Sequence, residues 1–111
     1  MQSHHPQHWR HTGQGRVQQD DFCITLSDTR DGATVLHNLC GQGNQLLKTQ
    51  SWRRIVPDKR VKEKTGLRGS LMKIIDHDLC LDYSDISDQG LLVKTCDHYS
   101  PHQRFVFQYN Y

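Results

Sequence analysis

Four cysteines, Cys23, Cys40, Cys80 and Cys96, are the side chains in this 111-residue sequence with the widest choice of chemistry: two disulfides, a zinc site or free thiols. No C-x2-C pair occurs, so a structural zinc site would lack its usual local pair of ligands. The intervals are 17 residues from Cys23 to Cys40, 40 to Cys80 and 16 to Cys96. Two nearly equal loops set far apart suggest one bridge inside each of two similar units. Of the three connectivities open to four cysteines, this favours Cys23 with Cys40 and Cys80 with Cys96. His4, His5, His8 and His11 form a second cluster, whose imidazoles at such spacing capture transition metals when flexible. At a chain end with nothing to fix their tautomers, adventitious affinity is the better reading, and neither a metal nor another cofactor is expected.

Catalysis would need a positioned base with a nucleophile or metal, and the sequence shows no Gly-x-Ser-x-Gly, phosphate loop, His-Glu-x-x-His or paired catalytic carboxylates. The Asp76-His77-Asp78 triplet looks superficially like a metal-binding Asp-x-His but is placed on the strand entering Cys80. The expectation is a chain without catalytic activity of its own. The charge of +2 is too small to suggest a nucleic-acid binder by itself. No window approaches the roughly 18 apolar residues of a membrane span, and the opening segment lacks the apolar core of a secretory signal. With 34% hydrophobic residues, the chain reads as one small, polar domain whose modest core gains from covalent help.

The elements that must position these groups come from a repeat. One unit begins at Asp20 and the other at Asp76. Each runs from an acidic residue through an apolar residue to Cys, then through a polar turn containing Gly32 or Gly90, a short apolar strand ending in Cys40 or Cys96, and a loop closing on Gln45 or Gln103. Short apolar runs at 22–26, 34–39, 71–75, 90–95 and 104–109 alternate with Asp, Ser and Gly clusters, and no stretch sustains helical periodicity over about ten residues. An all-β barrel or sandwich is expected. Between the units, residues 49–70 hold seven of the fourteen Lys and Arg residues beside only Asp58 and Glu63. This segment reads as an exposed basic insert, a solvated loop in preference to a surface for sulfated glycan, acidic lipid or RNA. Trp52 is the residue within it that argues otherwise.

Gln-x-apolar marks follow the repeats: Gln45-Leu46-Leu47 and Gln103-Arg104-Phe105, with Gln7-His8-Trp9 near the start. Together with Cys80-Leu81-Asp82 they resemble the ricin-type lectin repeat, whose domain is a β-trefoil of three lobes. The disulfide spacing, Gly43-Asn44-Gln45 and the stretch from Asp76 to Asp82 are similar to the C-terminal lectin domain of polypeptide N-acetylgalactosaminyltransferases. The resemblance implies the tail of a first repeat at 1–19, with most of that lobe absent, a second repeat at 20–48, the insert at 49–70 and a third repeat at 71–111. It implies that Gln7, Trp9, Gln45, Leu47, Gln103 and Phe105 serve the fold.

A galactose-type sugar offers an apolar C–H face and a fan of hydroxyls, so its site pairs an aromatic or His platform with a carboxylate and an amide. By the resemblance, the carboxylate stands two residues after a repeat's first Cys and the amide just before the Gln. The third repeat then supplies Asp82, with His98 and Tyr99 as platform and polar contacts and His102 in the amide position. The second repeat supplies Asn44 but has Thr25 where the carboxylate belongs, and it reads as structural. The implied function is recognition of N-acetylgalactosamine (GalNAc) or galactose on a glycan or glycopeptide, as in mucin-type O-glycosylation. The alternative is a non-binding remnant kept for protein contact. The resemblance also implies a preceding transferase domain in a longer protein and, with two disulfides, the Golgi lumen or secretory pathway. No nucleic-acid or membrane partner is expected for this chain.

Overall fold

The structure is a computed structural model that describes residues 9–41, 47–83, 90–106 and the backbone of 108–109. Nine short strands among the described residues form two sheets. The first, in spatial order β4-β3-β2-β1-β9, is built from β1 (Arg10–His11), β2 (Val17–Gln19), β3 (Phe22–Leu26), β4 (Val35–Leu39) and β9 (Gln108–Tyr109). The second, β5-β6-β7-β8, comprises β5 (Trp52–Ile55), β6 (Leu71–Ile74), β7 (Leu79–Asp82) and β8 (Leu92–Thr95). All pairings are antiparallel except β1 with β9, where Arg10 faces Gln108 and His11 faces Tyr109 in parallel. The all-β expectation holds, and the architecture is that of a β-trefoil.

The repeat is visible in the backbone. Asp20 (φ 52°) turns β2 into β3, and Asp76 (φ 69°) turns β6 into β7. An aspartate tolerates this left-handed conformation better than most residues because its short side chain bonds locally. The 76–78 triplet therefore lies in a turn, a correction to its expected place on a strand. Disulfides join Cys23 to Cys40 and Cys80 to Cys96, each with a Cα–Cα distance of 5.0 Å. Each one closes a strand hairpin, β3–β4 or β7–β8, as the equal spacing predicts.

The core is assembled from alternate positions of these strands, which point to one side of a pleated sheet. Val17, Ile24, Met72, Ile74, Leu81 and Val93 meet Trp52 and Phe105 in one buried cluster, with the half-buried Trp9 packed against it. Trp52 is 2% exposed and its indole N–H donates to the Ile24 carbonyl at 3.0 Å. This corrects the reading of residues 49–70 as an insert throughout: its first part is β5, a core strand whose single large aromatic outweighs two flanking arginines. The remainder forms helix α1 (Lys59–Thr65), another departure from the expected loop. Caps rather than periodicity make it helical. The Asp58 carboxylate accepts the Val61 N–H at 2.9 Å, and Gly66 (φ 66°) ends the helix by donating its N–H to Lys62. Val61 is the residue that α1 buries.

The second and third lobes are stitched together at the Gly32 turn. Gly32 N–H donates to Val93 O at 2.7 Å, Val93 N–H to Ala33 O at 2.8 Å, and Val35 N–H to Leu91 O at 3.2 Å. On the same seam the Asp31 carboxylate accepts the Thr95 N–H and hydroxyl at 2.7 and 2.8 Å, which holds its pKa below the ordinary carboxylate value. Two returning segments close against glycine turns: Trp52 N–H donates to Gly15 O, and Phe105 exchanges both backbone hydrogen bonds with Ser70, next to Gly69.

Two predictions follow from this packing. A Cβ on Gly69 would stand 2.9 Å from the Phe105 carbonyl oxygen, and its φ of +91° strains any L side chain. Gly69→Ala should lower stability in urea unfolding by about 1–3 kcal/mol, whereas Gly66→Ala, with open space around the added carbon, should show only the cost of its φ. His11 donates its Nε2 proton to the Trp52 carbonyl at 2.8 Å. Burial lowers its pKa, the bond to Trp52 opposes that shift, and Arg54 adds to it. As pH falls, the unfolded chain takes up the His11 proton before the folded one does. This contribution to stability is present above the ordinary histidine pKa of about 6.5 and is lost as pH falls below it toward the folded value. Melting temperatures measured between about pH 7.5 and pH 5.5 should fall less in His11→Gln, whose amide keeps a neutral donor, than in the wild type.

Candidate functional site

The second and third lobes are each organised around one buried glutamine. In the third lobe Gln103, 2% exposed, donates from Nε2 to Asp82 Oδ2 and to Thr95 O, both at 3.0 Å, and accepts the Asp97 N–H at 2.8 Å. In the second lobe Gln50, 1% exposed, donates from Nε2 to Thr25 Oγ1 at 3.1 Å and to Leu39 O at 2.9 Å, and accepts the Gly41 N–H at 3.0 Å. The two sets correspond group for group. Both glutamines end a 3-10 turn, at Lys48–Gln50 and Pro101–Gln103. The mark of the second repeat is therefore Gln50-Ser51-Trp52, which corrects its expected position at Gln45-Leu46-Leu47. Leu47 precedes the 3-10 turn, while Gln45 and Leu46 lie outside the described residues.

That register changes the second-lobe assignments. The loop from Cys40 to its glutamine is ten residues against seven from Cys96 to Gln103, so it is longer than its counterpart. The residue preceding the glutamine is Thr49, and Asn44 lies outside the described residues. Thr25 does occupy the position of Asp82. Its hydroxyl donates to Cys23 O at 3.0 Å while accepting from Gln50, and the residue is 6% exposed. Both hydroxyl roles are consumed inside the lobe.

In the third lobe the structure brings most of the expected residues onto one scaffold. Asp82 ends β7 and is 2% exposed. The next residue, Tyr83, donates its N–H to His102 O at 3.0 Å and its hydroxyl to Pro101 O at 2.7 Å, with its ring edge-on to the His102 imidazole at 5.7 Å between centroids. His102 is thus fixed to the end of β7. His98 is held through its carbonyl by Arg104 Nη2. Tyr99 is the outlier: it is 52% exposed, its N–H donates to Asp97 Oδ1 at 2.9 Å, and Lys64 Nζ of α1 lies over its ring at 5.6 Å. Tyr83 and Lys64 are members of this surface that sequence reasoning missed. Tyr83 directly follows Asp82 and was legible as its neighbour; Lys64 reaches the loop only through the fold.

Of the amino-terminal marks, Trp9 is described, with its ring 5.2 Å from that of His37; Gln7, His4, His5 and His8 lie outside the described residues. No group of three or more His, Cys, Asp or Glu able to hold a metal ion occurs among the described residues. Nor does any helix there have the length and apolarity to cross a membrane.

The glutamine hubs, the paired disulfides and the trefoil strands agree with the sequence comparison, in which the model of the ricin-type beta-trefoil lectin domain matches residues 1–105. The chain belongs to this family. Comparison with curated proteins gives no match. A ricin-type lectin domain is a carbohydrate-binding, non-catalytic module, and the third lobe is where this one keeps a carboxylate at the hub.

The hub itself is testable. Gln103→Leu removes a hydrogen bond from the Asp82 carboxylate in the buried lobe centre and from Thr95 O and Asp97 N–H at its edge. It should cost about 2–4 kcal/mol in chemical denaturation, and Gln50→Leu should cost less, because the group it abandons at the lobe centre is a neutral hydroxyl.

Proposed function

We propose that the domain recognises GalNAc or galactose-type sugars through its third lobe, with Asp82 as the hydroxyl acceptor and His98, Tyr99 and His102 as the surrounding contacts. One observation carries this reading. The two lobes build the same glutamine hub, yet one places a carboxylate on it and the other a neutral hydroxyl whose single proton is already donated to Cys23 O. An ionised carboxylate has roughly four acceptor sites, and the bond from Gln103 orients it. Charge-assisted bonds to vicinal sugar hydroxyls are about twice as strong as neutral ones. The half-buried His102 and the exposed Tyr99 offer the flat surfaces on which a sugar's C–H face rests.

We further infer that the domain acts as the lectin end of a mucin-type GalNAc-transferase, directing a catalytic domain toward peptides that already carry GalNAc. The sequence likeness from Asp76 to Asp82 supports this context, and the two disulfides fit an oxidising compartment such as the Golgi lumen. A second reading, a non-binding module retained for protein contact, is favoured by the 2% exposure of Asp82, since a sugar reaches that carboxylate only if the third-lobe loop gives way.

Titration with GalNAc followed by NMR separates them. Saturable shifts centred on Asp82, His98 and His102 are expected, and Asp82→Asn should abolish them. Asparagine is the suitable replacement because its carbonyl still accepts from Gln103, so folding is retained while the charge is removed. Absence of shifts at high millimolar sugar in the folded wild type would establish the non-binding module.

A further inference from the structure

A cavity of about 570 Å3 opens where the turn at 12–15 meets β5 and the end of β6. Arg53 and Lys73 line it together with Gln14, Ile75 and Asp76. The pairing of β5 with β6 sets Arg53 directly opposite Lys73. Like charges in that position destabilise a strand pair, because the two side chains leave the sheet on one face a short distance apart. Neither forms an ion pair among the described residues, and Lys73 makes one long hydrogen bond, from Nζ to Ile74 O at 3.4 Å. The carboxylate in the cavity, Asp76, lies 3.3 Å from Lys48 Nζ, so its charge is answered by another cation. The cavity is left with a surplus of positive charge, held in a register that costs the sheet stability and that an anion between the two side chains relieves.

We propose that this cavity is a second carbohydrate subsite and that it takes a sugar acid, with the carboxylate of the sugar between Arg53 and Lys73. The choice of a carbohydrate follows from the family to which the chain belongs and does not depend on the third-lobe reading above. A guanidinium fork binds both oxygens of a carboxylate, and an ammonium adds a point charge. The rest of the lining suits the rest of such a sugar. Ile75, 44% exposed, offers an apolar wall to the C–H face. The Gln14 amide both donates and accepts, and the Asp76 carboxylate accepts from hydroxyls. Access differs from that at Asp82: the Asp76 side chain is 55% exposed, so no loop has to give way. The volume falls within the range of small-ligand sites, roughly 300–1,000 Å3. An acidic peptide is a poorer fit, because Asp76 repels any carboxylate beyond the one that the cation pair holds.

Calorimetric titration of the oxidised domain with 6′-sialyllactose, with its methyl ester and with lactose provides the test. All three carry the same galactose, so any binding at Asp82 is common to them. The free acid should bind roughly tenfold or more tightly than the ester or lactose. Arg53→Gln/Lys73→Gln should abolish that advantage and leave lactose binding as it was. The double variant should melt no lower than the wild type, since it removes a cross-strand repulsion, so folding is retained. The same comparison is made with a hyaluronan tetrasaccharide and its methyl ester, whose carboxylates belong to uronic acids. A charge advantage with either acid that the double variant loses upholds the subsite, and the larger advantage names the sugar acid. No charge advantage with either acid, or one that the double variant keeps, overturns it. Tighter binding of hexaglutamate than of both acidic sugars overturns the carbohydrate assignment in favour of an acidic peptide. A charge advantage that survives Asp82→Asn, with no binding of lactose to the wild type, upholds the subsite and refutes the third-lobe reading. Lactose binding that Asp82→Asn abolishes, with no gain from the carboxylate, does the reverse. Failure of every sugar to bind overturns both.

Discussion

A single buried primary amide in each of the second and third lobes holds the described structure in register. Gln50 and Gln103 each span three groups: a strand-end carbonyl, the N–H that follows the second cysteine, and the side chain two residues after the first. A primary amide has the donors and the acceptor to serve all three from one point. The disulfide beside each hub ties the same two strands covalently. Strand pairing, the turn after the second cysteine and the returning strand with its core aromatic are thereby set together. Trp52 and Phe105 then reach the core as neighbours in sequence of their glutamines.

The consequence for recognition is that the carboxylate or hydroxyl at the hub belongs first to the fold. Asp82 and Thr25 are both almost fully buried and both bonded by the glutamine. They differ in what is left over. A hydroxyl has one proton and donates it to Cys23 O, while a carboxylate has no proton and accepts in several directions. Two lobes that build the same hub thus differ in the one side chain placed on it, and the proposed third-lobe site rests on that difference.

Much of this was legible in the sequence and some was not, for definable reasons. The cysteine intervals gave the disulfides because a hairpin of fixed length imposes them. Short runs such as Leu71–Ile74 and Leu92–Thr95 announced strands through their apolar residues and flanking turn residues. The second-lobe glutamine was misplaced because spacing was taken from the third repeat, and the loop between Cys40 and Gln50 is three residues longer than its counterpart. Misplacing it drew Trp52 into the basic segment, where its neighbours Arg53 and Arg54 suggested solvent. Helix α1 escaped notice because it is seven residues long and rests on its caps, a signal that periodicity does not carry. In the candidate site, Asp82 was legible from its distance to Cys80, whereas Lys64 over Tyr99 arises from two segments that no sequence interval connects.

The basic segment therefore has a structural reason to differ from an idle loop. A solvated run of cations gains nothing from order, yet here a capped helix, a left-handed glycine stop and a buried valine fix its path. Its return into β6 passes Gly69, where the Phe105 backbone approaches too closely for any side chain. Phe105 is in turn placed by the glutamine two residues before it. The path of the basic segment into β6 and the orientation of the Asp82 carboxylate both trace to Gln103, one through the chain that follows and the other through a direct hydrogen bond. A change at that glutamine must disturb both surfaces at once, while a change at Lys62 can touch only one.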